Sequence, residues 1–225
     1  MNSSKSTVET LSWVGDLDGH LRMIDQTQLP GEFLEIDCIE IQEVWDAIKQ
    51  LKVRGAPAIG ISAAYGVCLA AKNAIQTGAQ DPQQVTQEQA DYLATSRPTA
   101  VNLFWALNRM KPVIQSDATD LADWQRRLLA EAKEIHEEDR RMCHRIGECG
   151  AALLSDGDSV LTHCNAGGAG NRRVWDRVVG LLHGTGSGEI SSRVRRRNSS
   201  TPARSEADGL GAEAKRGQLH PDLRF

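Results

Sequence analysis

The chain has 225 residues, 40% of them hydrophobic and 25% charged, which suits one large or two small soluble domains. Its five cysteines show no metal-ligand spacing, the N-terminus lacks an apolar signal core, and no run looks long enough to span a bilayer. A disulfide scaffold and a membrane protein are thereby excluded, and a cytoplasmic protein with reduced thiols is favoured. The net charge of −4 conceals two regions of opposite sign. Residues 1–167 hold 15 basic and 24 acidic side chains, whereas residues 168–225 hold 11 and 6.

The first half of the chain is predicted to contain two short strands and then several helices. Residues 21–25 and 32–36 alternate between apolar and polar side chains, as strands do. Apolar spacing then predicts four helices, over residues 40–51, 58–74, 84–94 and 99–109. The second of these is small and apolar on nearly all sides, which indicates a buried helix.

The second half opens with the longest helical pattern, from residue 119 to residue 154. Its apolar stripe consists of Leu121, Trp124, Leu128, Ile135, Met142 and Ile146. A turn over 155–158 leads to a short strand, 159–163, that ends in His163, Cys164 and Asn165. A helix, a glycine-containing turn and a strand with polar residues at its carboxyl end are typical of the start of an open α/β sheet, where ligands bind beyond the strand ends.

The segment Arg54-Gly55-Ala56-Pro57-Ala58-Ile59-Gly60 puts a cation and unobstructed backbone at the mouth of the buried helix. Free N–H groups and the helix dipole favour an anion there, and an arginine adds a bidentate donor. A glycine–proline turn with a solvated arginine is the alternative.

The segment Thr95-Ser96-Arg97-Pro98-Thr99 has a similar design, with hydroxyls, an arginine and a stiff proline before a helix. The alternative is an N-cap with an exposed arginine. Two such loops in one chain favour a phosphorylated small-molecule ligand more than either does alone.

Cys164 follows an apolar strand, sits beside His163 and precedes a glycine-containing turn. A thiol there could act as a nucleophile or as an acid/base group. The alternative is a buried structural cysteine, the usual fate of residues such as Cys68. A Cys/His hydrolase pair is disfavoured because adjacent strand residues point to opposite faces.

These motifs, in this order, resemble the methylthioribose-1-phosphate isomerase family of methionine salvage, which is related to initiation factor two B regulatory subunits. The opening Leu21-Arg22-Met23-Ile24-Asp25-Gln26 and Leu29-Pro30 also match, and the resemblance covers about residues 8–167. It implies an α/β fold: a small N-terminal domain, a long connecting helix and a Rossmann-like domain, in a homodimer. It further implies a cofactor-free conversion of an aldose 1-phosphate to a ketose 1-phosphate, in which hydrogen moves between C2 and C1.

Carried over by this resemblance, Arg54, Gly55, Ala56 and Arg97 contact the sugar phosphate, and Cys164 is the catalytic cysteine; no metal site is implied. The implied domains are an N-terminal substrate-binding domain over 1–118, a connecting helix over 119–154 and the start of the Rossmann-like domain over 155–167. The remaining residues, 168–225, depart from the family.

The departure begins at Gly168, where the family continues with Ala-Leu-Ala-Thr-Ala-Gly-Tyr-Gly-Thr-Ala-Leu. Shifting the reading frame by one nucleotide makes all eleven codons from Gly168 to Val178 compatible with that run. A second family signature is compatible with residues 193–212. We therefore interpret residues 168–225 as family DNA read out of frame, and we expect a disordered tail because residues 184–217 show neither helical nor strand period. The family's catalytic aspartate then falls about where Arg224 stands, so no residue is assigned that role.

The function predicted from the sequence is the isomerisation of 5-methylthioribose 1-phosphate, with this chain an inactive, truncated form. Two alternatives stay open: a related isomerase, such as one acting on ribose 1,5-bisphosphate, and a non-catalytic regulatory protein of the initiation-factor kind. Nucleic-acid binding by the basic tail is disfavoured, since an out-of-frame tail is basic by accident. No membrane partner is expected.

Overall fold

The structure is a computed structural model that describes residues 9–29, 31–117, 119–151, 153, 161–163 and 195–197. It is helix-rich, with a small antiparallel sheet at its N-terminal end. The elements are, in chain order, β1 Leu11–Val14, β2 His20–Ile24, β3 Glu35–Cys38, α1 Ile41–Lys49, α2 Ala56–Gln76, α3 Pro82–Ala94, α4 Val101–Ile114, α5 Leu121–Ala151, β4 Leu161–His163 and β5 Arg195–Arg197.

The sheet is antiparallel, with the order β1-β2-β3. Strand β2 confirms the strand predicted over 21–25, whereas β3 begins three residues later than the predicted 32–36. Strand β1 was not anticipated, because only Leu11 of its four residues is buried and the alternation is weak. Leu21 and Met23 of β2 are buried and join the sheet to the helical core.

Helix α2 is the centre of the fold, and α1, α3, α4, α5 and the sheet pack around it. All five predicted helices are confirmed, with boundaries shifted by a few residues. Contrary to the expectation that no run is long enough, α2 has the length and hydropathy of a membrane span. Of its most apolar window, 89% is buried inside the protein, as in the core helix of a soluble domain.

The apolar stripe predicted on α5 is buried over only part of its length. Trp124, Leu128 and Ile135 are buried, but Met142 and Ile146 are 61% and 57% exposed. The reason is length: α5 has 31 residues, whereas α2 and α4, which pack on it, have 21 and 14, or about 46, 32 and 21 Å at 1.5 Å per residue. The C-terminal half of α5 therefore extends beyond both of the helices that cover its first half.

Strand β4 coincides with the end of the strand predicted over 159–163, and it pairs in parallel with β5. The segment 184–217 was expected to have no regular structure, and this pairing corrects that expectation only at Arg195–Arg197. An unpaired strand edge offers backbone groups that any extended segment can satisfy, whatever its sequence. The rest of the predicted tail, 168–225, lies outside the described residues.

Candidate functional site

The first arginine loop leads directly into the start of α2. Gly55 is the N-cap residue and has φ 95° and ψ 132°, a conformation that favours glycine. Pro57 lies in the first turn, where a missing N–H costs nothing. No described side chain caps this helix. The first backbone N–H of α2 that has a partner among these residues is that of Ile59, which donates to the Gly55 oxygen (3.0 Å). The N–H groups of Ala56 and Ala58 therefore have no partner among the described residues.

The second arginine loop leads into the start of α4 in a similar way. Ala100 is the N-cap residue, with an extended backbone and no side-chain cap. Its own N–H donates to the Arg97 oxygen (3.0 Å), which closes a turn across Pro98. Because Ala has no polar side chain, the first N–H groups of α4, those of Val101 and Asn102, have no partner within the described chain.

Two of the three hydroxyls of this loop have a structural role, so only part of the similarity predicted between the two loops holds. The Thr95 hydroxyl donates to the Tyr92 oxygen (2.7 Å), and the buried Ser96 hydroxyl donates to the Leu93 oxygen (2.7 Å). Both carbonyls belong to the last turn of α3. The hydroxyls thus tie the loop to α3, and Thr99 is not the N-cap of α4.

Gly60 and Asn102 bring the two helix starts together. A Cβ atom on Gly60 would lie 2.8 Å from the backbone oxygen of Asn102, closer than real Cβ atoms come to such an atom. Gly60 is in the second turn of α2, and Asn102 is in the first turn of α4. The two helices therefore touch backbone to backbone near the point where both begin.

Within the described residues, Arg54 and Arg97 are set apart from most other arginines by their lack of acidic partners. Six arginines form ion pairs with carboxylates: Arg22, Arg109, Arg126, Arg127, Arg140 and Arg141. Neither exposed Arg54 nor half-buried Arg97 pairs with a carboxylate of the described residues. The same is true of Arg145, which lies on the C-terminal half of α5. Two unpaired guanidinium groups thus flank two uncapped helix starts, an arrangement suited to a small anion with several oxygens.

For the cysteines, the structure tests only the alternative interpretation, that of a buried structural thiol. Cys164 lies outside the described residues, so its position relative to the arginine loops stays a prediction. Burial raises the pKa of the Cys38 thiol to about 12. It also raises the pKa of the Cys68 thiol, which is fully buried. Both thiols are therefore protonated at neutral pH and inert, as predicted for Cys68.

The structure gives roles to residues to which the sequence analysis assigned none. Gly60 and Asn102 join the two helix starts, and the Trp45 side chain donates from Nε1 to the Thr95 hydroxyl oxygen (2.9 Å). The sequence signal available for Gly60 was the presence of a glycine inside an apolar helix. No local signal marks Trp45, because its partner lies 50 residues further along the chain.

A surface cavity of about 720 Å³ opens along the C-terminal half of α5 and contains none of the predicted site residues. Its described lining is Glu137, Arg140, Arg141, His144, Arg145, Glu148 and Cys149. All of these side chains project from one helix and so form one wall. Among the described residues, no group of three or more His, Cys, Asp or Glu side chains could hold a metal ion.

Comparison with known proteins gives a consistent set of matches. The family described as the initiation factor 2 subunit family matches residues 52–186. The 5-deoxyribose 1-phosphate isomerase of Moorella thermoacetica is 52% identical over 164 residues, which are 71% of this chain and 45% of that protein. The solved 5-methylthioribose 1-phosphate isomerase of Pyrococcus horikoshii OT3 has a TM-score of 0.66 at 35% identity, over 79% of this chain and 50% of that chain. The translation initiation factor eIF-2B subunit delta of A. fulgidus also has a TM-score of 0.66, at 33% identity, over 85% and 54%. The chain spans about half the length of these proteins.

Proposed function

Since the chain belongs to the initiation factor 2 subunit family, we propose that it carries the phosphate-binding site of a sugar-phosphate isomerase. The isomerase names of two of the matched proteins support the reaction class. One observation carries the assignment of the site: two helix starts without side-chain caps, each preceded by an unpaired arginine, meet at Gly60 and Asn102.

A phosphate dianion suits this arrangement because it offers several acceptor oxygens to donors on both helices. The N–H groups of Ala56 and Ala58 point out of the α2 start, and those of Val101 and Asn102 out of the α4 start. A helix start stabilises a nearby anion by about 0.3–1 kcal/mol when exposed. Each hydrogen bond that involves a charged group adds about 1.5–3 kcal/mol. Arg54 and Arg97 therefore supply most of the affinity, and the helix starts orient the phosphate.

The substrate that we propose is 5-methylthioribose 1-phosphate, as in the isomerase of Pyrococcus horikoshii OT3. The relative from Moorella thermoacetica is named for 5-deoxyribose 1-phosphate, which carries its phosphate on the same carbon. The arginine loops recognise that shared phosphate and do not read the group on C5. Ribose 1,5-bisphosphate is a third candidate by the same argument.

In the reaction that we propose, Cys164 is a polar group that assists hydrogen movement between C2 and C1 of the sugar. The phosphate on C1 blocks simple opening to an aldehyde, so the transfer requires a site shielded from water. We further propose that residues 168–225 are out-of-frame family sequence, although the family match itself continues to residue 186. The chain as it stands would then bind sugar phosphates weakly and would not turn them over.

Two assays test this proposal. Calorimetric titration of the purified chain with ribose 1-phosphate should give a dissociation constant on the order of 1 mM, or about 4 kcal/mol, that weakens with added salt. The frame-restored protein should form ketose phosphate from 5-methylthioribose 1-phosphate. Its Cys164→Ser variant should lose activity by about 10²-fold or more, as expected for a positioned acid/base group. Turnover by the unaltered chain that disappears in Cys164→Ala would contradict the proposed inactivity.

A regulatory protein of the initiation-factor kind is the second candidate, and the match to the A. fulgidus subunit favours it. Such a protein need not isomerise its ligand. If the frame-restored protein binds sugar phosphates without forming ketose phosphate, the regulatory function replaces the isomerase.

A further inference from the structure

We propose that Trp45 is a positioning residue for the phosphate site: its indole N–H holds the 95–98 loop so that Arg97 faces the ligand. This inference rests on the proposed function, because it assigns Trp45 to the same site. Trp45 lies on α1, an element that contributes no residue to either arginine loop.

Trp45 is fixed in place by aromatic and polar contacts. Its ring stacks on Tyr92 of α3, with 5.6 Å between ring centroids and an interplanar angle of 15°. Lys49, one turn further along α1, places its ammonium 5.7 Å from the centroid of the Trp45 ring. Such contacts fix the direction in which the indole N–H points, and it points at the Thr95 hydroxyl oxygen, 2.9 Å away.

Thr95 passes this constraint on to the loop. Its hydroxyl accepts from Trp45 and donates to the Tyr92 oxygen (2.7 Å), so the three groups form a chain of hydrogen bonds in which each bond polarises the next. Ser96 is tied to the Leu93 oxygen and is buried. On the far side of Arg97, the ring of Pro98 fixes the backbone φ angle.

Arg97 depends on these constraints because no ion pair with a described residue holds it. Its side chain has no carboxylate partner in the described part of the chain, in contrast to Arg109, which pairs with Glu131 and Glu138. Its position is therefore set by the backbone of its own loop. Without the Trp45 hydrogen bond the loop gains freedom, and the ligand must then restrict that freedom on binding.

Paired substitutions test the role of Trp45. Trp45→Phe keeps an aromatic ring against Tyr92 but removes the N–H donor, and Thr95→Val removes the acceptor. Each should weaken the binding of inorganic phosphate to the full chain by about 3- to 10-fold, the worth of one hydrogen bond. Thr95→Ser keeps the hydroxyl and should restore affinity to within about 2-fold of the unaltered chain.

The chain offers a matched control in Trp13. Trp13 also stacks on a tyrosine, Tyr65, with centroids 5.4 Å apart, and its Nε1 donates to the Asp16 oxygen (2.9 Å), away from the arginine loops. Trp13→Phe removes the same kind of hydrogen bond and should leave phosphate affinity unchanged. An equal loss in Trp13→Phe and Trp45→Phe would overturn the proposal, since the effect would then be general destabilisation.

A measurement on the unaltered chain keeps the test independent of folding in the variants. The indole ¹H–¹⁵N resonance of Trp45 should shift during a phosphate titration, with the same dissociation constant as the Arg97 backbone amide, and that of Trp13 should not. A Trp45 resonance that stays in place while the Arg97 amide shifts would overturn the role of Trp45 alone. If the unaltered chain binds no phosphate, this proposal and the proposed function are both wrong.

Discussion

The helices of this protein begin in two different ways. At the starts of α1, α3 and α5 a carboxylate of the protein accepts from backbone N–H groups. Glu43 accepts from Ile39 (2.6 Å) and Glu40 (3.1 Å), Asp81 from Gln84 (2.9 Å), and Asp120 from Ala122 (2.9 Å). At the starts of α2 and α4 stand Gly55 and Ala100, which offer no side-chain acceptor.

The difference separates helix starts whose N–H donors are satisfied within the protein from helix starts whose donors are left for a ligand. A carboxylate at a helix start satisfies the free donors and neutralises the positive end of the dipole, which stabilises the helix by about 1 kcal/mol. The α2 and α4 starts lack this stabilisation, and the arginine beside each forms no ion pair with the part of the chain that the structure describes. Both omissions leave positive charge and free donors at one place, where a bound phosphate would supply the missing acceptors.

Removing both unpaired arginines should have the largest effect on binding. The double variant Arg54→Ala/Arg97→Ala should bind phosphate about 100-fold more weakly, because two charge-assisted contacts are lost. Its melting temperature should stay within about 2 °C, since no ion pair is broken. Calorimetric titration and thermal unfolding measure the two quantities.

The control for that variant carries the same change in charge. Arg126→Ala/Arg141→Ala removes two exposed arginines that are ion-paired with Asp120, Asp123 and Glu134. It should leave phosphate affinity nearly unchanged at physiological salt. Similar losses in both double variants would mean that net charge, and not the helix starts, determines binding.

Separating the two helix starts should have the next largest effect. In Gly60→Ala the new Cβ meets the Asn102 backbone oxygen at 2.8 Å, so α4 must move. Overpacking of this kind costs about 1–3 kcal/mol, and we expect phosphate affinity to fall about 10-fold as a consequence.

Gly66→Ala is the matched control within the same helix. Its Cβ would meet a terminal methyl carbon of Leu93 at 3.0 Å and one of Val44 at 3.4 Å, and we expect such side-chain ends to shift at less cost than the backbone of α4. The gain in helix propensity of up to about 1 kcal/mol should offset those contacts. Chemical denaturation and phosphate titration should therefore separate the two variants, and equal behaviour would contradict the importance of the contact between α2 and α4.

Giving α4 a carboxylate cap converts one kind of helix start into the other. Ala100 already has the extended backbone of an N-cap residue. Ala100→Asp should stabilise the protein by about 1 kcal/mol and weaken phosphate binding about 10-fold, because the new carboxylate occupies the donors and repels the ligand. A stabilised variant with unchanged affinity would place the ligand elsewhere.

The smallest expected effect concerns Arg109, whose ion pairs with Glu131 and Glu138 stabilise the fold. The hydrogen bonds from Arg109 hold the pKa of Glu138 below its usual value. This carboxylate therefore stabilises the fold above its unfolded pKa of about 4.3, and the contribution is lost as the pH falls through the lower, folded pKa. Glu138→Gln should cost less than about 1 kcal/mol at pH 7, measured by denaturation, and progressively less as the pH falls below the unfolded pKa. Phosphate affinity should not change. A loss of affinity would mean that the ion pair between Arg109 and Glu138 contributes to the phosphate site.

Local chemistry made much of the fold and half of the site predictable. The helices followed from apolar spacing, and the start of α2 followed from Gly55 and Pro57, whose conformational preferences are properties of single residues. What could not be predicted depends on distant partners. The close approach of Gly60 to Asn102, and the Trp45 hydrogen bond to Thr95, exist only after α1, α3 and α4 have packed on α2.

The errors have similar causes. The hydroxyls of Thr95 and Ser96 were grouped with the arginine as one binding design, but the free carbonyls at the end of α3 compete for them. The stripe on α5 has the period of a buried face, yet Met142 and Ile146 are exposed because the neighbouring helices, α2 and α4, are shorter than α5. A sequence pattern indicates which face is apolar, and it does not indicate how far that face is covered.

Amide chemical shifts during a phosphate titration test the central claim most directly. In ¹⁵N-labelled chain at constant ionic strength, inorganic phosphate should shift the backbone amides of Ala56, Ala58, Val101 and Asn102 with a single dissociation constant. The amides at the capped starts, those of Glu40, Gln84 and Ala122, should not move. Shifts confined to the capped starts, or spread equally over all five helices, would contradict the assignment of the phosphate site to α2 and α4.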